Sequence, residues 1–174
     1  MPTNTIAPFR VLFLCTGNSS RSIFGEFLLR KRGKGAFETF SAGANPRDHV
    51  NPYALRVLRE CYQIDASGAR PKPMTEFLGK PFDFVITLCD DARQTCPVWP
   101  GRTVRSHWSS PDPSEFNGSD QDTFDFFRKV ALQIQRRIDL FCSLPLTDLD
   151  HDRRERASGA IGDRERLGAE MRVR

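Results

Sequence analysis

A cysteine and an arginine enclose a short polar segment near the start of the chain, residues 15–21 (CTGNSSR). An apolar run typical of a buried strand precedes this segment, and a helical pattern follows it. Loop N–H groups and the positive end of a helix dipole together form a cradle for an anion. Cys15 is therefore a candidate nucleophile, and Arg21 is a candidate bidentate clamp for a tetrahedral oxyanion.

The residues of this loop suit both an anion and a reactive sulfur. A nearby cation and a helix N-terminus stabilise a thiolate, so we expect Cys15 to attack in that form. Gly17 permits close backbone approach or a positive φ, and Ser22 can donate a hydrogen bond to the cysteine sulfur. The alternative is a buried cysteine beside a turn. The residues predicted to bind the oxyanion are Thr16, Gly17, Asn18, Ser19, Ser20, Arg21 and Ser22.

Two further cysteines, Cys89 and Cys96, lie seven positions apart, directly after an apolar run at residues 82–88. Such a pair is a candidate redox couple, and two small buried hydrophobic residues are the alternative reading. Zinc sites need four ligands with clustered cysteine and histidine, which this segment does not offer. No metal site is predicted.

Alternating strands and helices place these residues in an α/β fold with three layers, a four-stranded parallel sheet flanked by helices. Ligands of such sheets bind beyond the carboxyl ends of the strands, so Cys15 and Cys89 should meet at one rim. The predicted strands are residues 9–14, 36–41, 82–88 and 103–108. The predicted helices are residues 22–32, 51–61, 91–96 and 119–143.

Composition limits the class of protein. The 174 residues are 39% apolar and 28% charged, as in a soluble domain, and no apolar stretch approaches the roughly 20 residues that span a bilayer. The net charge of +4 suits small anions better than nucleic acid. Five cysteines without disulfide density, and no signal peptide, predict a cytoplasmic protein with free thiols and no membrane partner.

The chain divides into three parts by composition. Residues 1–8 are predicted to be a disordered leader, and residues 9–146 are predicted to form one folded domain that carries the loop at residues 15–21. Residues 147–174 carry seven acidic residues, seven basic residues and three glycines without an apolar period. That composition predicts a disordered tail.

The segment 11–22 (VLFLCTGNSSRS) resembles the phosphate-binding loop of the low-molecular-weight protein tyrosine phosphatase superfamily. That family places its general acid in a late Asp-Pro pair, which Asp112-Pro113 matches; a plain turn is the alternative. The segment 87–97 (TLCDDARQTCP) is similar to the redox segment of the thioredoxin-coupled arsenate reductases, a branch of the superfamily. The resemblance covers roughly residues 9–143.

This resemblance implies reduction of arsenate to arsenite with no cofactor. Cys15 would attack arsenic, and Cys89 would then attack the Cys15 sulfur. Cys96 would attack Cys89 and free Cys15, which leaves a Cys89–Cys96 disulfide for thioredoxin or a similar thiol reductant to reduce. One alternative is a phosphatase that uses Cys15, Arg21 and Asp112 alone. Another is a non-catalytic sensor of oxyanions or redox state.

Some arsenate reductases of this type hold a potassium ion with glutamate, asparagine and serine residues, a pattern that Glu26, Asn18 and Ser41 fit. A further acidic ligand expected after residues 64–65 is missing, and Lys72 falls about there. Its ammonium group would replace the ion, unless Lys72 is an ordinary surface lysine.

Overall fold

The computed structural model describes residues 6–170, with side chains through residue 164. One parallel sheet has the strand order β2-β1-β3-β4. The strands are β1 (Phe9–Cys15), β2 (Phe37–Gly43), β3 (Phe84–Thr87) and β4 (Val104–His107). The helices are α1 (Arg21–Gly33), α2 (Pro52–Tyr62), α3 (Asp90–Thr95), α4 (Asp120–Cys142) and α5 (His151–Glu170). The predicted four-stranded parallel sheet flanked by helices is confirmed.

Strand β1 is the centre of the core. It pairs with β2 on one side and with β3 on the other, and its residues 11–14 are fully buried. A strand covered on both faces needs an unbroken apolar run, which this segment provides. Because all four strands are parallel, the ends of β1 and β3 bring the loop after Cys15 and the segment after Thr87 to the same rim.

A buried arginine of α4 fixes the loop that follows β4. The Arg137 side chain is fully buried and donates to the carbonyl oxygens of Trp108 and Ser109, each at 2.8 Å, and to Ser110 Oγ at 3.1 Å. All three bonds leave from one guanidinium nitrogen, Nη1, and a buried cation bonded in this way orients the backbone that supplies the acceptors. The loop leading to Asp112 is therefore held against the sheet.

The expectation of a disordered tail at residues 147–174 is wrong for the residues that the structure describes. Helix α5 packs along β4: Ser158 Oγ lies 2.6 Å from Ser106 Oγ, and the Trp108 indole N–H donates to the Ser158 carbonyl at 2.9 Å. Ile161 is buried in the same contact. This helix has no apolar residues at regular helical spacing. It packs instead through two small residues, Ser158 and Gly162, which allow it to lie close to the strand. Residues 171–174 lie outside the described part.

The predicted leader is described only from residue 6, and residues 6–8 are outside any helix or strand. Residues 1–5 lie outside the described part, so that prediction stays open for them. Over the described residues, no helix combines the length and apolar character required to cross a membrane.

Candidate active site

The loop after β1 turns its carbonyl groups outward. The carbonyl oxygens of Thr16, Gly17 and Ser19 accept from backbone N–H groups of the segment 45–51 at 2.8–2.9 Å. By contrast, the N–H groups of residues 17–20 donate to no described protein atom. Backbone N–H groups without a protein partner at the start of a helix suit an anion, so this loop has the donors that the predicted cradle requires.

Two backbone positions explain how the loop closes so tightly. Asn18 adopts a left-handed backbone with φ of 46°, which asparagine tolerates better than most residues. Gly43, at the end of β2, lets the loop approach the strand closely, because a Cβ there would lie 2.6 Å from the Thr16 carbonyl oxygen.

Ser20 Oγ is buried without a hydrogen-bond partner among the described residues, which leaves one more polar group for an anion.

A chain of hydrogen bonds leads to the Cys15 sulfur. Ser22 Oγ lies 2.9 Å from Cys15 Sγ, and the Asn18 side-chain amide donates to Ser22 Oγ at 2.8 Å. Asn18 Oδ1 accepts in turn from the Lys72 backbone N–H at 2.9 Å, with the Lys72 ammonium at 3.5 Å. Either partner of the Ser22–Cys15 pair can donate while Cys15 is a thiol. A Cys15 thiolate can only accept, so Ser22 then donates to the sulfur and stabilises its charge.

Lys72 lies where the sequence suggested either a potassium ion or a surface lysine. Its ammonium group donates to the Arg70 carbonyl at 2.8 Å, and burial lowers the Lys72 pKa from its ordinary value although Glu26 acts in the opposite direction. Glu26 accepts from Ser41 Oγ and, at 2.6 Å, from Arg30. Among the described residues, no group of three or more histidine, cysteine or acidic side chains is arranged to hold a metal.

Arg21 closes the cradle from the side of the loop after β4. Its guanidinium is buried, and it donates to the Ser110 carbonyl at 3.1 Å and to the Asp112 carboxylate at 3.0 Å. Burial raises the Asp112 pKa, but hydrogen bonds from Ser114 and the charge of Arg21 outweigh it, so the pKa is lowered overall. Asp112 is therefore held as a carboxylate beside Arg21.

Cys89 lies at the same cradle. Its sulfur is 3.2 Å from Thr16 Oγ1, and it also caps α3 by accepting from the Ala92 N–H at 3.4 Å. Cys15 and Cys89 line one cavity of about 520 Å³, together with Arg21 and Asp112. The prediction that two strand ends bring Cys15 and Cys89 to one rim is thus confirmed by the geometry.

Cys96 is not part of that cavity. It follows α3 as the C-cap residue, is half-buried, and lines a separate cavity of about 370 Å³ between α3, β4 and α5. The structure therefore separates the third predicted cysteine from the other two. Cys61 is exposed and Cys142 is half-buried, and neither lines the cradle.

Sequence reasoning missed Arg47 and Ser110, which also line the cradle cavity. Arg47 packs against Gly17, where a Cβ would lie 3.1 Å from its side chain, and donates to Ser114 Oγ at 3.3 Å. Its position could have been found from topology, because the segment after β2 must lie at the same rim as the segment after β1. Arg47 adds a second positive charge beside the cradle.

Fold and cradle together define a class of protein, and sequence comparison gives the same class. The family model of the low molecular weight phosphotyrosine protein phosphatases matches residues 10–155, and the chain belongs to that family.

Within the family, the chain is similar to arsenate reductases. It is 34% identical to the arsenate reductase of Oceanobacillus iheyensis over 131 residues, 75% of this chain and 93% of that protein. It shares 28% identity and a TM-score of 0.56 with the thioredoxin-dependent arsenate reductase of Corynebacterium glutamicum, covering 78% of this chain and 64% of that one. An arsenate reductase in its phosphate-binding state gives 27% identity and a TM-score of 0.62, covering 78% and 97%.

Proposed function

We propose that this protein reduces arsenate to arsenite by a thiol relay through Cys15, Cys89 and Cys96. The observation that carries the proposal is a second thiol at the oxyanion cradle, since Cys89 lies in the cavity of Cys15 and contacts the loop residue Thr16. Ester hydrolysis through a cysteinyl intermediate needs only one nucleophilic sulfur, whereas the relay needs a second thiol beside the first. The arsenate reductases among the relatives support the same conclusion.

The first step forms a bond between sulfur and arsenic. Arsenate has the shape and charge of phosphate, so the inward N–H groups and Arg21 bind it as a tetrahedral anion. The Cys15 thiolate attacks arsenic and an arsenic–oxygen bond breaks, with the leaving oxygen departing as water. The charge of the bound anion favours protonation of the nearby Asp112 carboxylate, which takes a proton from water and is placed to pass it to the leaving oxygen.

The second step moves two electrons. The Cys89 thiolate attacks the Cys15 sulfur, the sulfur–arsenic bond breaks, and its electron pair reduces arsenic(V) to arsenic(III). Arsenite leaves, and Cys15 and Cys89 are joined by a disulfide. Cys96 then attacks the Cys89 sulfur and releases the Cys15 thiolate, which leaves a Cys89–Cys96 disulfide. A thiol reductant such as thioredoxin returns this disulfide to two thiols.

The relay is tested by one turnover of the fully reduced protein without any added reductant. The wild type should release about one arsenite per chain, because the three thiols supply one pair of electrons. Cys89→Ser should release none while it still hydrolyses p-nitrophenyl phosphate through Cys15. Cys96→Ser should release one arsenite and then stop as a Cys15–Cys89 disulfide.

Cys61→Ser is the matched control, since Cys61 is exposed and outside the cradle, and it should behave as the wild type. Release of arsenite by Cys89→Ser at the wild-type yield would contradict the relay.

The second candidate function is a phosphatase, which the Arg21–Asp112 pair over the cradle favours. Vigorous ester hydrolysis with no arsenite from the wild type would establish that candidate instead.

A further inference from the structure

A bridge between two side chains crosses the rim of the sheet at the cradle. Arg47 follows β2 and Ser114 follows β4, and these two strands are the outer strands of the sheet. The Arg47 guanidinium donates to Ser114 Oγ at 3.3 Å, and both residues line the cradle cavity. The Arg47–Ser114 bridge therefore runs from one edge of the sheet to the other, at the rim where the inner strands β1 and β3 end.

Both ends of the bridge are held by the cradle itself. The Arg47 backbone N–H donates to the Gly17 carbonyl at 2.9 Å, and Cγ, Cδ and Nε of Arg47 lie 3.1–3.3 Å from the position of a Cβ on Gly17. At the other end, Ser114 Oγ donates to the Asp112 carboxylate at 2.7 Å, so its lone pairs remain for Arg47. The Arg47 side chain therefore lies across the loop, although the residue as a whole is exposed.

The bridge lies beside the place where the leaving group departs. In-line attack by the Cys15 sulfur sends the leaving oxygen to the opposite side of the anion, and the proposed function places that oxygen at Asp112. Ser114, one end of the bridge, is hydrogen-bonded to the same Asp112 carboxylate. Arsenate loses a bare oxygen, whereas a phosphate ester loses an oxygen that carries an organic group. The room left for an organic group beside Asp112 therefore distinguishes the two kinds of substrate.

We propose that the Arg47–Ser114 bridge restricts the cradle to free oxyanions, and that Arg47 is a specificity-determining residue against organic phosphate esters. The proposal rests on the proposed function, which supplies the direction of attack and the position of the leaving oxygen. A free oxyanion meets Arg47 as an additional cation beside the cradle and is attracted by it. An organic ester must displace the guanidinium from Ser114, which breaks a hydrogen bond and moves a positive charge away from Asp112.

The test compares an ester with an inorganic oxyanion in Arg47→Ala and in Arg47→Met, which keeps most of the stem and removes the donor. Hydrolysis of p-nitrophenyl phosphate gives the KM for the ester, and its competitive inhibition by inorganic phosphate gives the inhibition constant. The ratio of KM to inhibition constant should fall about fivefold in both variants, because only the ester has an organic group to place. At a pH where both ligands are dianions, the lost positive charge weakens both alike and cancels in the ratio.

Arg59→Ala is the matched control, since Arg59 is an exposed arginine of α2 outside the cradle cavity, and its ratio should equal that of the wild type. The kinetic constants also separate a barrier to the ester from an effect on proton donation by Asp112. A barrier changes the KM for the ester and leaves kcat within about twofold, whereas altered proton donation changes kcat. An unchanged ratio in both Arg47 variants, an equal fall in Arg59→Ala, or a change confined to kcat would overturn the proposal.

A single turnover with arsenate separates this proposal from the proposed function. Reduced Arg47→Ala should release arsenite more slowly than the wild type, because a positive charge beside the cradle is lost, but with the same final yield of about one per chain. Absence of arsenite from the wild type would overturn the relay. The ratio of ester KM to phosphate inhibition constant involves no reduction, so it would still decide whether the bridge excludes esters.

Discussion

The Cys15 sulfur is the last member of a hydrogen-bond chain that starts at the Lys72 ammonium group. Lys72 donates to Asn18 and Asn18 donates to Ser22, and Ser22 donates to the Cys15 sulfur when that sulfur is a thiolate. A fixed positive charge at the far end favours this direction, because it holds the Asn18 oxygen as an acceptor and its amide as a donor. We infer that Lys72 takes the place of a potassium ion.

Lys72→Met should therefore slow the first turnover about tenfold, since a hydrogen bond to a charged group contributes roughly 1.5–3 kcal/mol and part of the chain survives. Rapid mixing of the reduced protein with arsenate measures this rate. The wild type should react equally fast in KCl and NaCl of equal ionic strength. Lys80→Met, at an exposed lysine, is the control. A wild-type rate that rises with potassium would show that Lys72 does not replace the ion.

Helix α3 is built so that its two caps are the cysteines that must join. Cys89 and Cys96 are seven positions apart, about 10.5 Å along a helix axis, whereas a disulfide needs Cα atoms within roughly 7 Å. So short a helix has little stability of its own. Tertiary contacts hold it: Ala92 is buried, and the His107 ring bridges Thr87 Oγ1 at 2.8 Å and Asp90 Oδ1 at 3.0 Å.

His107→Ala should loosen α3 in the reduced protein, because it removes the bridge from the sheet to the first turn. Hydrogen exchange of the amides at residues 90–96 should accelerate about fivefold, as expected for loss of roughly 1 kcal/mol. In the oxidised wild type these amides should exchange faster than in the reduced form. His49→Ala, in an exposed loop, is the control. Identical exchange in the two redox forms would contradict the rearrangement of α3.

At the scale of the whole molecule, α5 covers the edge strand of the sheet. An uncovered edge strand is a site of unwanted pairing, and the contact of α5 with β4 also holds the strand that leads to Asp112. Two glycines of α5 differ in surroundings. A Cβ at residue 162 would overlap the His107 carbonyl oxygen, while a Cβ at residue 159 would meet no atom within 4 Å.

Gly162→Ala should lower the free energy of unfolding by about 2 kcal/mol, because α5 must move away from β4. The matched variant Gly159→Ala should raise it by up to about 1 kcal/mol, since alanine favours the helix and meets no obstacle. Urea unfolding measures both changes, and Tm should fall by about 5 °C in the first variant. Equal stabilities of the two variants would mean that α5 does not pack on β4 in solution.

The sequence alone determined the order of the four strands and of helices α1 to α4, the polar loop at residues 15–21 and the presence of a second thiol pair. Each of these depends on residues close together in the chain, such as the apolar run of β1 and the polar loop after it. The parallel topology could be inferred as well, and with it the meeting of Cys15 and Cys89.

Only the tertiary structure decided what is distant in the chain. It placed Lys72 on Asn18, separated Cys96 from the cradle, and laid α5 on β4 through Ser158 and Gly162. Small residues pack closely only when a matching surface faces them, and they leave no hydrophobic period in the sequence. For that reason a segment that the sequence predicts to be a charged tail is a helix that packs on β4 and lines the cavity beside Cys96.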